Sequence, residues 1–152
     1  MSPSSAAVRR RDTPSAATAT MAPDVDALAA VIPGAATALR AFFRIAEAWR
    51  LAADDQRTLL GRPAKTTFYR WRKGETGGVS LDTMERLSHI LAIYASLHSI
   101  YVDHDRADLW VRRPNDAALF GGRTPVERLL LGRVADLYEV RRYLEAAAEP
   151  AL

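Results

Sequence analysis

LLGRPAKTTFYRWRKG, residues 59–74, reads as the turn and second helix of a helix-turn-helix suited to a phosphate backbone. From Arg62 to Lys73 there are five cations (Arg62, Lys65, Arg70, Arg72, Lys73) and no carboxylate. Phe68 and Trp71 stand three apart, so at about 100° per residue they share one helix face. Thr66, Tyr69, Arg70 and Lys73 project from the opposite face, with Thr67 and Arg72 on the flanks. A short helix that buries two aromatics and turns hydroxyls and cations outward suits a DNA groove. Gly61 is placed for the left-handed turn between the two helices, and Gly74 for the end of the second. The same composition would also serve a solvated basic helix packed by its aromatic face. The turn glycine and the helix before it favour DNA, and make Arg62, Lys65, Thr66, Thr67, Tyr69, Arg70, Arg72 and Lys73 the candidate DNA-binding residues.

Working outward, Leu39, Phe42, Phe43 and Ala46 recur at helical spacing and predict a first amphipathic helix over about 36–49. Asp54 is expected to cap a short helix running through Leu60. After the loop GETGGVS, Ser80 or Asp82 caps a long helix over about 81–102, with Glu85 placed for a capping box with Asp82. Leu87, Leu91, Tyr94 and His98 form one stripe of that helix, and Ile90, Ile93, Leu97 and Ile100 a second. Two readings fit: a core helix surrounded on most sides, or one shared between the core and a self-association surface. A short helix over 106–112 follows, with Asp105 as cap and Pro114 as stop. Thr124, Pro125 and Glu127 make a strong local helix start: hydroxyl at the cap, proline next, carboxylate at the third position. Gly132 ends that helix, and the last one, about 134–148, carries Val134, Leu137, Val140 and Leu144 on one face. No strand is predicted. The expected fold is all-α: a helix-turn-helix over 34–79, then a small helical domain over 80–152 joined through the long central helix.

The 152 residues suffice for one ordinary domain or two very small ones. The net charge of +3 is mild, but it is unevenly spread. Arg9–Arg11 and the 62–73 block are basic, whereas Asp54, Asp55, Asp103, Asp105 and Asp108 lie elsewhere. A local basic stripe points to a polyanionic partner more strongly than the total does. Residues 1–33 form an N-terminal tail whose first 25 or so, rich in Ser, Ala, Thr and Pro, predict disorder. Its arginines either add weak phosphate contacts or only keep the tail soluble. With no cysteine there is no disulfide framework, thiolate nucleophile or Cys-ligated metal. There is also no apolar run of about 18 residues and no signal-peptide core, so a cytoplasmic protein is expected.

Catalytic chemistry is not predicted. His89, His98 and His104 lack the i, i+4 spacing of a helical metal pair. The acidic residues around His104 lack the glycine and glutamate of a calcium loop. Gly121-Gly122-Arg123 ahead of a helix start would hold an anion, or would simply turn the chain. Nothing brings together a nucleophile, a base and an oxyanion donor. No enzyme, metal or cofactor is expected.

The order LLG, TTFYRWRKG, SLDTMERLSHILAIY, ADLWVRRPN, LFGGRTPVERLL, ADLYEVRRYLEAA resembles the Xre/MbcA/ParS family of antitoxins from about residue 36 onward. The first blocks are shared by many Xre-like regulators. The run from Trp110 through Arg113-Pro114-Asn115 and Gly121-Gly122-Arg123-Thr124-Pro125 to Val140-Arg141-Arg142-Tyr143-Leu144 is more specific. It resembles the family's C-terminal toxin-binding domain. The resemblance implies a RES-domain toxin that degrades NAD⁺ as partner, blocked at its active site, and an operon repressed by the antitoxin or its complex. It also implies operator DNA as a second partner; because one short helix offers few base contacts a homodimer is expected, and with the toxin a hetero-oligomeric toxin–antitoxin complex. Trp110, Arg113, Asn115, Gly121, Gly122, Arg123, Arg141, Arg142, Glu145 and Leu152 are the candidate toxin-binding residues. Carboxylates such as Glu145, Glu149 or that of the chain end would enter a cationic NAD-binding cleft, with the arginines at its rim. Two rivals remain: a stand-alone regulator whose C-terminal domain only dimerises, and an adaptor that has lost DNA binding. A neighbouring gene for a RES-type protein and a salt-dependent affinity for the protein's own promoter would separate them.

Overall fold

The structure, a computed structural model, describes residues 34–149; the N-terminal tail of the sequence reading and Leu152 lie outside the described residues. Among these there are seven α-helices, one 3₁₀ turn and no strand, as expected. α1 (Ala35–Ala48) buries Ala38, Leu39, Phe42, Ile45 and Ala46, the apolar stripe of its sequence. Beyond it Arg50 is left-handed at φ 57°. The Arg112 guanidinium donates to the carbonyls of Trp49 (3.0 Å) and Arg50 (2.7 Å), satisfying a helix end that has no helical partner.

α2 (Ala53–Leu59) begins at Ala52 without a side-chain cap. Asp54 is not its cap but lies inside the first turn, where its charge complements the helix dipole. α3 (Lys65–Arg72) follows across the Gly61 turn. α4 (Leu81–Ile100) is capped by Ser80, whose hydroxyl accepts from the Thr83 amide at 3.1 Å. The expected capping box between Asp82 and Glu85 is absent. With Ser80 at the cap, Asp82 falls within the first turn and bonds Arg86 at 2.9 Å, while Glu85 lies 3.6 Å from His89.

α4 is the central helix. α7 lies along it and α1 packs against it from another side. Leu87, Ile90, Ile93 and Leu97 are fully buried, whereas Leu91, Tyr94 and His98 are half-buried, so the second stripe is covered more completely than the first. α5 (His104–Leu109) starts two residues earlier than expected, because its cap is Asp103, which accepts from the Asp105 amide at 2.9 Å. Asp105 is a first-turn residue there, and a 3₁₀ turn (Trp110–Arg112) completes the segment. α6 (Pro125–Leu129) carries the complete Thr124–Glu127 capping box. Hydrogen bonds from the Thr124 backbone and hydroxyl hold the Glu127 carboxyl below its ordinary range. α7 (Val134–Ala148) buries Leu137, Val140 and Leu144, and also Asp136, which Arg128 and Arg133 each reach at 2.8 Å. One continuous apolar core runs from Ala38 in α1 to Leu144 in α7.

Candidate functional site

Helices α2 and α3 meet across a turn with two left-handed residues, Gly61 (φ 94°) and Arg62 (φ 62°). The Arg62 amide donates to the Arg57 carbonyl at 2.7 Å and the Gly61 amide to that of Thr58 at 3.2 Å, closing the α2 end. The Arg57 guanidinium donates to the Pro63 carbonyl at 3.1 Å, so this cation shapes the turn. α3 then lies with Phe68 wholly buried and Trp71 3% exposed. Phe43 of α1 meets the Phe68 ring edge-on at 5.8 Å, and the Trp71 indole N–H donates to the Gly77 carbonyl at 3.0 Å. Gly74, left-handed at φ 100°, turns the chain away from α3.

This packing settles which way α3 faces. Arg62, Lys65, Thr66, Tyr69, Arg70, Arg72 and Lys73 are exposed and Thr67 is half-buried. Among the described residues none of the five cations is in an ion pair, whereas Arg57, Arg86, Arg128, Arg133 and Arg141 all are. The structure thus gathers the eight predicted residues on one turn and around the unburied side of one helix, Thr67 at its edge, with unneutralised charge beside hydroxyls. Such a surface can donate to phosphate oxygens and reach base edges.

The C-terminal candidates fall into separate groups. The Trp110 ring meets Phe120 edge-on at 5.6 Å and stacks on Tyr143 at 6.4 Å, tying the 3₁₀ turn and the following loop to α7. Asn115 closes that loop: its amide donates to the Arg123 carbonyl (3.0 Å) and its carbonyl accepts from Gly122 (2.8 Å). Its side-chain oxygen accepts from the Ala117 amide at 2.9 Å. Gly121 and Gly122 are left-handed, at φ 59° and 87°, and Arg113 and Arg123 are exposed on the loop.

Arg141 and Arg142 point different ways. Arg141 donates to Glu145 at 3.0 Å and lies 3.2 Å from His89 Nδ1, facing α4. Arg142 is exposed and shares a hollow with Ala118, Leu119, Arg128, Tyr138 and Glu139. Leu152 is outside the described residues. The sequence reading did not single out Tyr143, which stacks on Trp110, as a site residue, nor the exposed Tyr138 and Leu131 beside the candidates. The available signal was that Tyr138 and Tyr143 lie off the Leu137–Val140–Leu144 stripe. On a helix with one face buried, they had to be bulky rings at its boundary or outside.

Among the described residues no group of three or more ligand-type side chains could hold a metal, and no helix is long and apolar enough to cross a membrane. Fold and surface together define a helix-turn-helix protein extended by a second helical segment packed on the same central helix. Residues 26–92 match the antitoxin Xre-like helix-turn-helix domain, and residues 96–149 the antitoxin Xre/MbcA/ParS C-terminal toxin-binding domain. The border between the two matches falls inside α4. The protein y4oB of Sinorhizobium fredii, described only as uncharacterized, is 52% identical over 108 residues, spanning 71% of this chain and 81% of that protein. No solved structure matches. The chain belongs to the Xre/MbcA/ParS family of antitoxins.

Proposed function

We propose that this antitoxin belongs to a type II toxin–antitoxin pair whose toxin is a RES-type, NAD-degrading enzyme. It binds that enzyme at the active site through the segment from Trp110 onward, and it represses its own operon through α3. A single short helix offers few base contacts, so a homodimer on a palindromic operator is the form that binds, with the toxin joining it in a hetero-oligomer. Its role is binding, not catalysis, and its place is the cytoplasm, where both DNA and NAD⁺ are found. The observation that carries this reading is the coexistence, on one core, of a cationic outward face on α3 and a segment of the toxin-binding family.

Co-expression with a RES-domain protein encoded beside it is the test. Restored growth and restored cellular NAD⁺, together with salt-dependent binding of the upstream DNA, are expected. No rescue with DNA binding intact would leave a stand-alone regulator; rescue without DNA binding would leave an adaptor.

A further inference from the structure

The DNA-facing turn, which Arg57 of α2 braces from within, is also held from outside its own two helices. Neither α2 nor α3 has a side-chain cap, and the turn between them contains two left-handed residues. Two of its carbonyls are met by α4: Thr83 Oγ1 donates to Leu60 at 2.8 Å, and Arg86 Nη1 lies 3.4 Å from the Thr58 oxygen. The same Arg86 nitrogen donates to the Gly132 carbonyl at 3.0 Å, in the turn between α6 and α7. Its Nε is bonded to Asp82 at 2.9 Å, and the side chain is only 11% exposed. Both glycines are seated on this cluster. A Cβ on Gly61 would stand 2.7 Å from Asp82 Oδ2, and one on Gly132 would stand 3.3 Å from Thr58 Cγ2 and 3.7 Å from Arg62 Nη2. One buried guanidinium therefore links the end of α2, the start of α4 and the α6–α7 turn of the toxin-binding segment.

We infer that Arg86 is a positioning residue of the DNA interface, fixing where Arg62 and Lys65 stand by tying their turn to the α6–α7 turn. This rests on the reading that α3 and its turn bind DNA. Arg86 does not itself touch DNA. A planar guanidinium can serve two carbonyls and a carboxylate in fixed directions, which a lysine ammonium on a flexible stem does not reproduce.

The experiment titrates the upstream DNA of this gene with the full chain and with Arg86→Lys, Arg86→Gln and Gly132→Ala, at several salt concentrations below each melting temperature. Val140→Ala, which removes buried volume from α7 away from the turn, serves as the comparison. The Arg86 and Gly132 variants are expected to bind more weakly, with a log–log salt slope lower by about one for each of Arg62 and Lys65 displaced. Val140→Ala is expected to melt earlier but to keep the slope of the full chain. Amide exchange at Gly61 and Arg62 should also quicken in Arg86→Lys and stay unchanged in Val140→Ala, a readout independent of DNA. The inference is overturned if folded Arg86 variants bind with the original slope and exchange at the original rate. It is equally overturned if Val140→Ala lowers the slope as far, since Arg86 would then matter only for stability. No binding by the full chain would refute DNA recognition itself, a separate outcome.

Discussion

Trp71 and its neighbours show how α3 separates a buried face from an exposed one. The indole is buried in the core, with its N–H given to the Gly77 carbonyl, while Arg70 and Lys73 beside it are exposed. Trp71→Ala is therefore expected to destabilise by about 3–5 kcal/mol, as truncation of a buried aromatic does. Chemical denaturation followed by circular dichroism measures this. An unchanged midpoint with DNA binding lost would mean that the two faces of α3 have been assigned the wrong way round. Arg70→Ala with Lys73→Ala should do the opposite. Exposed changes of this kind move stability by less than about 0.5 kcal/mol each, but each lost phosphate contact lowers the log–log salt slope by about one. An unaltered slope in the double variant would show that these side chains do not reach the backbone. The buried and exposed sides of α3 were both legible in the sequence, because which side of a helix is buried follows from neighbours three and four residues away.

Between elements, the α4–α7 seam contains a titratable joint. His89 is 7% exposed, with Arg141 Nη1 at 3.2 Å from Nδ1 and Glu85 at 3.6 Å from Nε2. An arginine has no acceptor, so Nδ1 must be the unprotonated nitrogen and accept from it. Burial first, and the Arg141 charge second, lower the His89 pKa from its ordinary 6.5, against the opposite pull of Glu85 and Glu145. The unfolded chain then takes up the proton at higher pH than the folded one. Stability from this joint is complete above about 6.5 and declines as pH falls from there toward the folded value. The melting temperature is expected to fall between about pH 7 and 5, above the main carboxylate range, and His89→Gln should flatten that part of the profile. A profile identical with and without the imidazole would exclude His89 as the cause. Helix boundaries were partly legible at this scale. Thr124-Pro125-Glu127 allows one geometry, whereas Asp54, Asp82 and Asp105 suit either a cap or a first turn, and here all three take the first turn.

Across the whole molecule, α3 and α7 are different elements of one core, so the functions proposed for α3 and for the residues from Glu145 onward should separate. A chain ending at Leu144 keeps Leu137, Val140 and Leu144 in the core but loses Glu145 and everything beyond it. It is expected to fold and to bind upstream DNA, yet to leave a co-expressed RES-type toxin active, read as arrested growth. Normal growth would exclude the chain end and direct attention to the loop from Arg113 to Thr124. By itself, the sequence determined the all-helical class, the buried and outward faces of α3, the left-handed turn at Gly61 and the cap of α6. Each depends on residues within about four positions of one another, the range over which helical geometry sets contacts. Only the tertiary structure decided that Asp136 would be buried between two arginines, and that Arg141 would face His89 while Arg142 faced away. It also decided that Arg86 would reach both the Thr58 carbonyl at the end of α2 and the Gly132 carbonyl in the α6–α7 turn. Arg86 and Gly132 are 46 residues apart and His89 and Arg141 are 52, and no helical period relates positions at those distances. They meet because α7 folds back along α4, to bury apolar stripes that neither helix can cover alone.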